Sequence, residues 1–248
     1  MTIDLSGQTA LVTGASRGIG KAIAIGLSQA GARVVLMSRD RSALEALAAE
    51  LIAGGGLADV APCDVGDIEA VAQAVAALPR LDILVNNAGT NIPEPFTEVS
   101  EAHFDQIMNL NLRAAFFVTQ AAVRKMLKGG RGGVIVNVTS QMGHVGAANR
   151  TVYCASKHAL EGFTKALAVE LAPQGIRVNS VAPTFIETDL TRPMLTEAQF
   201  KHSVIAKIPL GHLGQPQDVA SAVVFLASPQ AALITGASLL VDGGWTAQ

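Results

Sequence analysis

"TALVTGASRGIG", residues 9–20, carries a short apolar run into a glycine-rich turn and then into a segment with helical periodicity. A continuous run of Val, Leu and Ala is typical of a strand that is buried on both faces, as the strands of parallel sheets are. Gly14, Gly18 and Gly20 permit the sharp turn that must follow such a strand. The stretch therefore predicts a β-strand, a tight turn and an α-helix in direct succession.

The rest of the chain repeats this succession of strand and helix. Apolar runs predict strands at 9–14, 33–38, 57–62, 82–87, 133–140, 177–183 and 238–243. Helical periodicity predicts helices at 18–30, 40–53, 67–78, 101–128, 152–172 and 216–227, with Asp40 and Asp67 as N-caps. Strands that alternate with helices form a parallel sheet with helices on both faces. We therefore predict an α/β fold in which residues 1–248 form a single doubly wound domain.

The segment 184–214 interrupts this alternation, because it is too long for a simple crossover helix. In an open α/β sheet the ligand lies at the carboxyl ends of the strands. A segment that follows the strand at 177–183 overhangs that edge, so we predict that 184–214 is a substrate lid.

The composition excludes several classes of protein. The 248 residues include 18 Lys and Arg against 20 Asp and Glu, and 50% are hydrophobic, which favours a large core and leaves no basic stretch for nucleic acid. No apolar run reaches the length of a membrane span, and no secretory signal precedes the first strand. Cys63 and Cys154 show no metal-ligand spacing. We expect a cytoplasmic protein without metal, membrane or nucleic-acid partners.

The glycine turn has the features of a phosphate-binding loop. Its spacing, G-x3-G-x-G, differs from the G-x-G-x-x-G fingerprint of dinucleotide sites. Even so, glycines let the backbone approach a pyrophosphate, and the helix N-terminus offers free N–H groups and a positive dipole end. We predict that Gly14, Gly18 and Gly20 bind the phosphates of a dinucleotide; a glycine-rich turn without a ligand is the alternative.

The end of the second predicted strand bears on the choice of cofactor. An acidic residue at this position binds the ribose hydroxyls of NAD, whereas an Arg accommodates the 2′-phosphate of NADP. Here Ser38 and Arg39 end the strand, and Arg17 in the glycine turn can reach the same region. Since Asp40 is predicted to cap the next helix, we expect NADP(H) to be preferred over NAD(H). Asp64, after the third strand, is a candidate contact for the adenine.

The only tyrosine of the chain, Tyr153, stands four residues before Lys157. On a helix these positions share a face, with Cβ atoms about 5–6 Å apart. A phenol has a pKa of about 10, and one cation at about 4 Å supplies the roughly 4 kcal/mol needed to bring it to about 7. We therefore predict that Lys157 lowers the pKa of Tyr153 and makes it a general acid–base group. A partly buried tyrosine near a surface lysine is the alternative.

Further polar residues belong to the same edge of the predicted sheet. Ser140 ends the strand at 133–140, where its hydroxyl can donate a hydrogen bond to a substrate oxygen. Asn111 interrupts an apolar helix and, when buried, needs a partner such as a water or a helix carbonyl next to Lys157. "NNAG", residues 86–89, ends another strand and either flanks the cofactor or is an ordinary turn.

"TGASRGIG", "NNAG", Asn111, Ser140 and "YCASK" (153–157) together resemble the motifs of the short-chain dehydrogenase/reductase family in its single-domain form. The resemblance extends to the closing "VDGGW". It implies a Rossmann-type, seven-stranded parallel sheet and hydride transfer between a nicotinamide and a carbonyl/alcohol pair. It also implies a homotetramer, with the helices near 101–128 and 152–172 at one interface and the C-terminal strand at another.

The resemblance also implies a role for each matching residue. Tyr153 would be the acid–base residue, Lys157 would bind the nicotinamide ribose, and Ser140 would orient the substrate oxygen. Asn111 would hold the water of a proton relay. The other cofactor contacts would be Thr13, Gly14, Ser16, Arg17, Gly18, Ile19 and Gly20 at the phosphates, Asp64 and Val65 at the adenine, Asn87, Ala88 and Gly89 at the adenosine ribose, and Pro183, Ile186 and Thr188 near the nicotinamide.

One position departs from the family pattern, which has Gly after the proline of the sixth strand. Here Pro183 is followed by Thr184, whose Cβ resists a positive φ. The contacts of Ile186 and Thr188, and the course of the lid, therefore depend on the backbone at Thr184.

The loop between Ser140 and Tyr153 indicates the substrate class. Its polar side chains can bind hydroxyls or a carboxylate, which favours a sugar, polyol or sugar acid, although a solvated loop is the alternative. These side chains are Gln141, His144, Asn149 and Arg150. The chain is also similar to 3-oxoacyl-carrier-protein reductases, but it has few basic residues for a carrier protein to contact. A non-catalytic NADP(H) sensor is disfavoured, because all four catalytic residues are present.

Overall fold

The sheet follows the predicted alternation closely. The computed structural model describes residues 2–189 and 191–248, and within them seven strands form one sheet. They are β1 (Thr9–Thr13), β2 (Arg33–Ser38), β3 (Leu57–Pro62), β4 (Ile83–Asn86), β5 (Gly133–Val138), β6 (Ile176–Pro183) and β7 (Ser238–Val241). All neighbours are parallel, in the order β3-β2-β1-β4-β5-β6-β7. The predicted fold class, a doubly wound Rossmann-type sheet, is confirmed.

The helices connect successive strands and cover both faces of the sheet. They are α1 (Gly18–Gln29), α2 (Arg41–Ala53), α3 (Ile68–Ala77), α4 (Glu101–Met108), α5 (Ala115–Gly129), α6 (Thr151–Leu171), α7 (Arg192–Leu195), α8 (Ala198–Ile205) and α9 (Pro216–Ala227). Asp40 and Asp67 cap α2 and α3 through their side chains, as predicted. None of the helices in the described part of the chain combines the length and the apolarity that a membrane span requires.

Two apolar clusters lie on opposite faces of the sheet, because successive strand residues point to opposite sides. Val12 and Val136 belong to the cluster beneath α1, α2 and α9. Leu11 and Ile135, their neighbours along the same strands, belong to the cluster beneath α3, α5 and α6. The strands are therefore buried on both faces, which explains why their sequences are continuous apolar runs.

The predicted helix at 101–128 differs from the observed structure. A π-helical segment, Asn109–Ala114, separates α4 from α5 and carries the buried Asn111. Such segments interrupt α-helices most often at functional sites, where they redirect a side chain.

The segment 184–214 contains α7 and α8 and has a small apolar cluster of its own. Leu195, Val204, Ile208 and Leu213 are its buried members, and Phe185 and Trp245 pack against them. Leu190 lies outside the described residues. The segment thus has its own packing, and its role as a lid stays a prediction.

Candidate active site

The glycine turn lies at the carboxyl edge of the sheet, where the strand order reverses between β1 and β4. Ligands of open α/β sheets bind in the crevice at this point. Gly14 and Gly18 adopt φ angles of +63° and +55°, which favour glycine. A Cβ on Gly20 would collide with the Gly14 carbonyl oxygen and with the side-chain amide of Asn87. All three positions therefore require glycine, and the resulting tight backbone path suits the close approach of a pyrophosphate.

β1 and β4 are tied together beneath this turn. Thr13 Oγ1 accepts hydrogen bonds from the backbone N–H groups of Asn87 (3.0 Å) and Ala88 (3.1 Å). The Asn87 side-chain amide donates in return to the carbonyl oxygens of Thr13 (2.9 Å) and Gly14 (3.2 Å). The predicted cofactor residues of the glycine turn and of "NNAG" are thus brought into one hydrogen-bonded unit.

The N-terminus of α1 leaves its first N–H groups without a capping side chain. Arg17 occupies the N-cap position and makes no cap bond with a described residue, and the first turn carries no acidic side chain. Thr188 approaches from the segment after β6, since a Cβ on Gly18 would lie 3.5 Å from Thr188 Cγ2. Ser16 and Ile19 flank this helix start and are partly exposed. The site thus has an uncapped helix N-terminus that can bind an anion.

The carboxyl ends of β2 and β3 form the predicted adenosine end. The Asp40 carboxylate accepts a hydrogen bond from the first turn of α2 (3.0 Å), so it is engaged as a cap. The Arg39 side chain is 80% exposed and lies 3.9 Å from Asp64, where exposed charges interact weakly. The guanidinium is therefore available to a ligand, whereas the Asp40 carboxylate is not. Ser38 lies beside them, and Val65 is buried.

Ser140 and Tyr153 form the hydroxyl pair that the sequence predicts for catalysis. Ser140 is buried just after β5, where its Oγ accepts a hydrogen bond from Met142 N (3.1 Å) and donates to the Pro183 carbonyl oxygen (3.4 Å). Tyr153 lies in the first turn of α6, and its phenol is close enough to Ser140 for the serine side chain to lower the pKa of Tyr153. The two side chains therefore lie near each other at the carboxyl edge of the sheet.

The pKa of Tyr153 differs from the prediction. Burial raises the pKa of the phenol, and this cause exceeds the opposing effects of the Ser140 hydrogen bond and the Arg150 charge. Lys157 Nζ lies over the ring, 5.6 Å from its centre. That Lys157 lowers the pKa of Tyr153 stays a prediction. The charge of Arg150 lowers the pKa of the phenol, but burial outweighs it.

Lys157 is 5% exposed, and its Nζ donates to the Val138 carbonyl oxygen at 3.0 Å. Burial lowers the pKa of Lys157 to about 8, while the charge of Glu161 acts to raise it. A Cβ on Gly89 would lie 3.7 Å from Lys157 Nζ and 3.2 Å from Asn111 Oδ1. Three residues of the predicted site therefore meet between α6 and the loop after β4.

The Asn111 side chain joins that loop to α6. Its Oδ1 accepts a hydrogen bond from Thr90 N (2.8 Å), and its Nδ2 donates to the Thr90 carbonyl oxygen (2.9 Å) and to Ser156 Oγ (3.1 Å). The π-helical segment turns Asn111 inward to make these bonds. The amide thus contacts the loop and Ser156, not the helix carbonyl next to Lys157 that the sequence suggested, and the relay water stays a prediction.

Glu161 is a buried carboxylate that the sequence analysis missed. It lies one turn after Lys157 on α6, and that i, i+4 spacing is the signal that could have revealed it. Its oxygens accept hydrogen bonds from Thr139 (2.6 Å), Ser180 (2.8 Å) and Ser238 (3.1 Å). Thr139 follows β5, Ser180 lies within β6, and Ser238 begins β7. One carboxylate therefore ties three strands to α6 and offsets the charge of Lys157.

The predicted substrate residues occupy different environments. Gln141 is 1% exposed, and its Oε1 is buried without a hydrogen-bond partner in the described chain. Arg150 is 9% exposed, so the alternative of a solvated loop is wrong for this residue. Asn149 is exposed, and its backbone oxygen accepts hydrogen bonds from the Glu94 N–H (3.2 Å) and the Arg150 guanidinium (3.0 Å).

His144 is directed towards the cluster around Glu161. Its Nε2 lies 3.0 Å from Ser238 Oγ and 3.3 Å from Glu161 Oε1. This ring nitrogen is therefore engaged by the protein, and a contact of His144 with the substrate stays a prediction.

The segment after β6 accommodates Thr184 without strain. Thr184 does not adopt a positive φ, so the Gly of the family pattern is not required here. Its Oγ1 is buried without a partner among the described residues. Ile186 is buried and pairs with Gly214, while Thr188 lies against the glycine turn. Of the two predicted nicotinamide contacts in the segment, Thr188 is thus next to the other cofactor residues, and Ile186 packs into the core.

This geometry suits one kind of chemistry. The glycine turn and the exposed guanidinium can bind a dinucleotide, and the hydroxyl pair above Lys157 can exchange a proton with a substrate oxygen. The described residues contain no group of His, Cys, Asp and Glu side chains that could hold a metal ion. The fold and the site define a Rossmann-type dinucleotide-binding protein equipped for acid–base catalysis.

Known proteins share this architecture along the whole chain. A family model described as enoyl-(acyl carrier protein) reductase matches residues 14–246. The 3-oxoacyl-[acyl-carrier-protein] reductase of Rickettsia bellii is 43% identical over 245 residues, which are 98% of each chain. The L-xylulose reductase of Bos taurus is 40% identical over 247 residues, which are 100% of each chain. A gluconate 5-dehydrogenase from Burkholderia cenocepacia, solved in complex with NADP and tartrate, has a TM-score of 0.96 at 34% identity and matches 100% of this chain and 98% of its own.

The chain therefore belongs to the short-chain dehydrogenase/reductase family. The family that the motifs resemble is confirmed, and the protein is an NAD(P)-dependent oxidoreductase that transfers a hydride between nicotinamide and a carbonyl or alcohol.

Proposed function

We propose that this protein is an NADP(H)-preferring dehydrogenase/reductase of a polar sugar, polyol or sugar acid, with Asn111, Ser140, Tyr153 and Lys157 as its catalytic residues. The observation that carries the proposal is the position of Lys157, whose Nζ lies 5.6 Å from the centre of the Tyr153 ring and donates to the carbonyl oxygen of Val138, two residues before Ser140. The glycine turn lies at the same carboxyl edge of the sheet.

The cofactor fits the residues that surround this edge. Gly14, Gly18 and Gly20 form a cradle that a Cβ would fill or strain, and the uncapped start of α1 suits the pyrophosphate. NADP(H), when bound, supplies or accepts the hydride. Arg39 favours NADP, because its guanidinium can pair with a 2′-phosphate while the nearby Asp40 carboxylate is engaged as a cap.

Proton transfer falls to Tyr153. In reduction the phenol donates its proton to the carbonyl oxygen, and Ser140 donates a hydrogen bond to the same oxygen. In oxidation the phenolate accepts the proton of the alcohol. Lys157 contributes a buried cation whose pKa of about 8 lets it hold or release a proton near neutral pH. Asn111 positions the loop after β4 against α6, next to Lys157.

The polar substrate class is supported by the loop before α6. Gln141 presents a buried oxygen without a partner in the described chain, which suits a hydroxyl of the substrate better than an acyl chain. L-xylulose reductase and gluconate 5-dehydrogenase, two of the similar proteins, are named for a sugar and a sugar acid. The 3-oxoacyl-[acyl-carrier-protein] reductase activity of the Rickettsia relative is the second candidate, favoured by its 43% identity.

We further propose a homotetramer in the cytoplasm, with 184–214 as the substrate lid. Phe116 on α5 stacks against Phe163 on α6 with ring centroids 5.1 Å apart, and Phe116 stays exposed. Leu239 and Leu240 on β7 are exposed as well. Exposed apolar side chains on these two surfaces suit contacts between subunits. Light scattering after size exclusion tests the tetramer.

A substrate panel run with both cofactors tests the proposal. We expect turnover of polyols or sugar acids, with NADP(H) giving the higher kcat/KM. Turnover of acetoacetyl thioesters alone would favour the second candidate. Binding of NADPH without turnover of any carbonyl or alcohol would contradict both.

A further inference from the structure

We propose that Arg150 anchors a carboxylate of the substrate, so that the preferred substrates are hydroxylated or keto acids of the aldonate type. The inference rests on the proposed function and narrows its substrate class. It makes Arg150 the residue that selects acids over neutral polyols.

Arg150 is a buried cation without a countercharge. It is 9% exposed, and no described carboxylate lies within ion-pair distance of its guanidinium. One of its five N–H donors bonds to the Asn149 carbonyl oxygen, and the structure gives the others no partner among the described residues. A buried charge is costly unless it is paired, so a partner from outside the chain is expected.

No described carboxylate of the neighbouring segments forms an ion pair with Arg150. Glu94, whose N–H binds the Asn149 backbone, directs Oε2 to His103 Nδ1 at 2.9 Å, while its Oε1 is buried without a hydrogen-bond partner in the described chain. In the predicted lid, Asp189 pairs with Arg192 at 2.7 Å, and Glu187 accepts a hydrogen bond from Gln215. The Arg150 guanidinium is therefore not paired with any of these three carboxylates.

Stability does not explain a cation at this position. Arg150 is the N-cap residue of α6, where the helix dipole is positive and disfavours a further positive charge. Asn149, which precedes it, adopts φ +59° and so directs the chain into the helix at some conformational cost. Burial also lowers the pKa of the guanidinium, which marks its loss of water. An anion bound at this point would offset all three unfavourable effects.

Arg150 is also close to the catalytic groups. It is the N-cap residue of α6, and Tyr153 lies in the first turn of the same helix, where the charge of Arg150 lowers the pKa of the phenol. A substrate bound to Arg150 through one end can therefore bring another carbon to Tyr153 and Ser140.

The geometry of the donor suits a carboxylate. A guanidinium presents a planar fork that two carboxylate oxygens match, and because two phosphate oxygens also match it, a phosphate ester is one of the probes. Gln141, next to Ser140 in the chain, offers a buried acceptor for a substrate hydroxyl. Together the two side chains suit an acid whose carbon chain carries hydroxyl groups.

Arg150→Gln tests the proposal with three matched probes and NADP+: gluconate, sorbitol and sorbitol 6-phosphate. For the unaltered enzyme we expect kcat/KM to be highest with gluconate. In Arg150→Gln we expect the ratio of kcat/KM for gluconate to that for sorbitol to fall about 100-fold, because a charge-assisted bidentate contact is lost. Arg150→Lys keeps the charge without the fork, so its ratio should lie between the two. A ratio unchanged in Arg150→Gln would overturn the proposal, as would a preference for the phosphate ester.

Arg131→Gln is the control, because it removes one exposed arginine beside β5 at the opposite edge of the sheet. It should leave the ratio unchanged. Calorimetry of gluconate binding to the enzyme–NADP+ complex separates this proposal from the proposed function. Gluconate binding that depends on Arg150, with no turnover of any probe, would support the role of Arg150 as a carboxylate anchor and contradict the proposed dehydrogenase activity. Turnover of sorbitol without any binding of gluconate would support the dehydrogenase activity and contradict the role of Arg150.

Discussion

The polar groups on the two sides of the active site differ in whether the chain itself supplies their hydrogen-bond partners. The catalytic floor, here Asn111, Ser140, Lys157 and Glu161, is buried, and its members bond to neighbouring side chains or to the backbone. The substrate rim, here Gln141, Arg150 and Thr184, is buried or half-buried and has polar atoms without partners among the described residues. Because the chain itself supplies the hydrogen-bond partners of the floor, the positions of these side chains are fixed before a ligand binds. The unpaired polar atoms of the rim indicate where a bound ligand would supply the missing hydrogen-bond partners.

The largest effect is expected from Tyr153→Phe, which removes the phenol that exchanges a proton with the substrate oxygen. We expect kcat to fall at least about 1,000-fold, since positioned acid–base groups contribute on the order of 100- to 10,000-fold. NADPH binding, followed by fluorescence, should be retained because the glycine turn is untouched. Retained turnover in this variant would contradict the proposed mechanism.

Glu161→Gln weakens the hydrogen bonds that join the catalytic floor to the strands. We expect about 3 kcal/mol of lost stability in chemical unfolding, because a buried countercharge of Lys157 is removed and one acceptor oxygen is replaced by a donor. Glu170→Gln, an exposed position on the same helix, is the matched control and should change stability by less than about 0.5 kcal/mol. Equal losses in the two variants would show that the carboxylate does not support the floor.

Arg39→Ala makes a smaller change, at the exposed adenosine end. We expect the ratio of kcat/KM with NADP+ to that with NAD+ to fall about 10-fold, since a charge-assisted contact at an exposed site contributes on the order of 1.5 kcal/mol. Arg41→Ala is the control, because Arg41 is also exposed and pairs with Glu45 instead. A ratio that Arg39→Ala leaves unchanged would remove the basis for NADP preference.

The floor and the rim also differ in how far the sequence predicts them. Residues one helical turn apart, such as Tyr153 and Lys157, can be recognised in the sequence by their spacing. The buried strands can be recognised by their continuous apolar runs. Glu161 could not be recognised by its partners, because Thr139, Ser180 and Ser238 meet only through the strand order of the sheet.

Burial decided the remaining differences. Arg150 belongs to a polar loop in the sequence, and only the packed structure shows that this residue is 9% exposed. Burial also reverses the predicted shift of Tyr153, because the loss of water outweighs the nearby charges. The π-helical turn at Asn111 depends on hydrogen bonds to Thr90 and Ser156, which no local sequence pattern predicts.

The most direct test of Tyr153 as the acid–base group is the ultraviolet absorbance of its phenolate in the NADP+ complex, titrated together with the rate of alcohol oxidation. Because the chain has one tyrosine, any phenolate signal belongs to Tyr153. Oxidation needs the deprotonated base, so the rate should rise with pH through the same range in which the phenolate appears. In Arg150→Gln both curves should move together to higher pH, since Arg150 lowers the pKa of Tyr153. A rate that rises near pH 8, where Lys157 titrates, with no phenolate signal in that range would contradict the account.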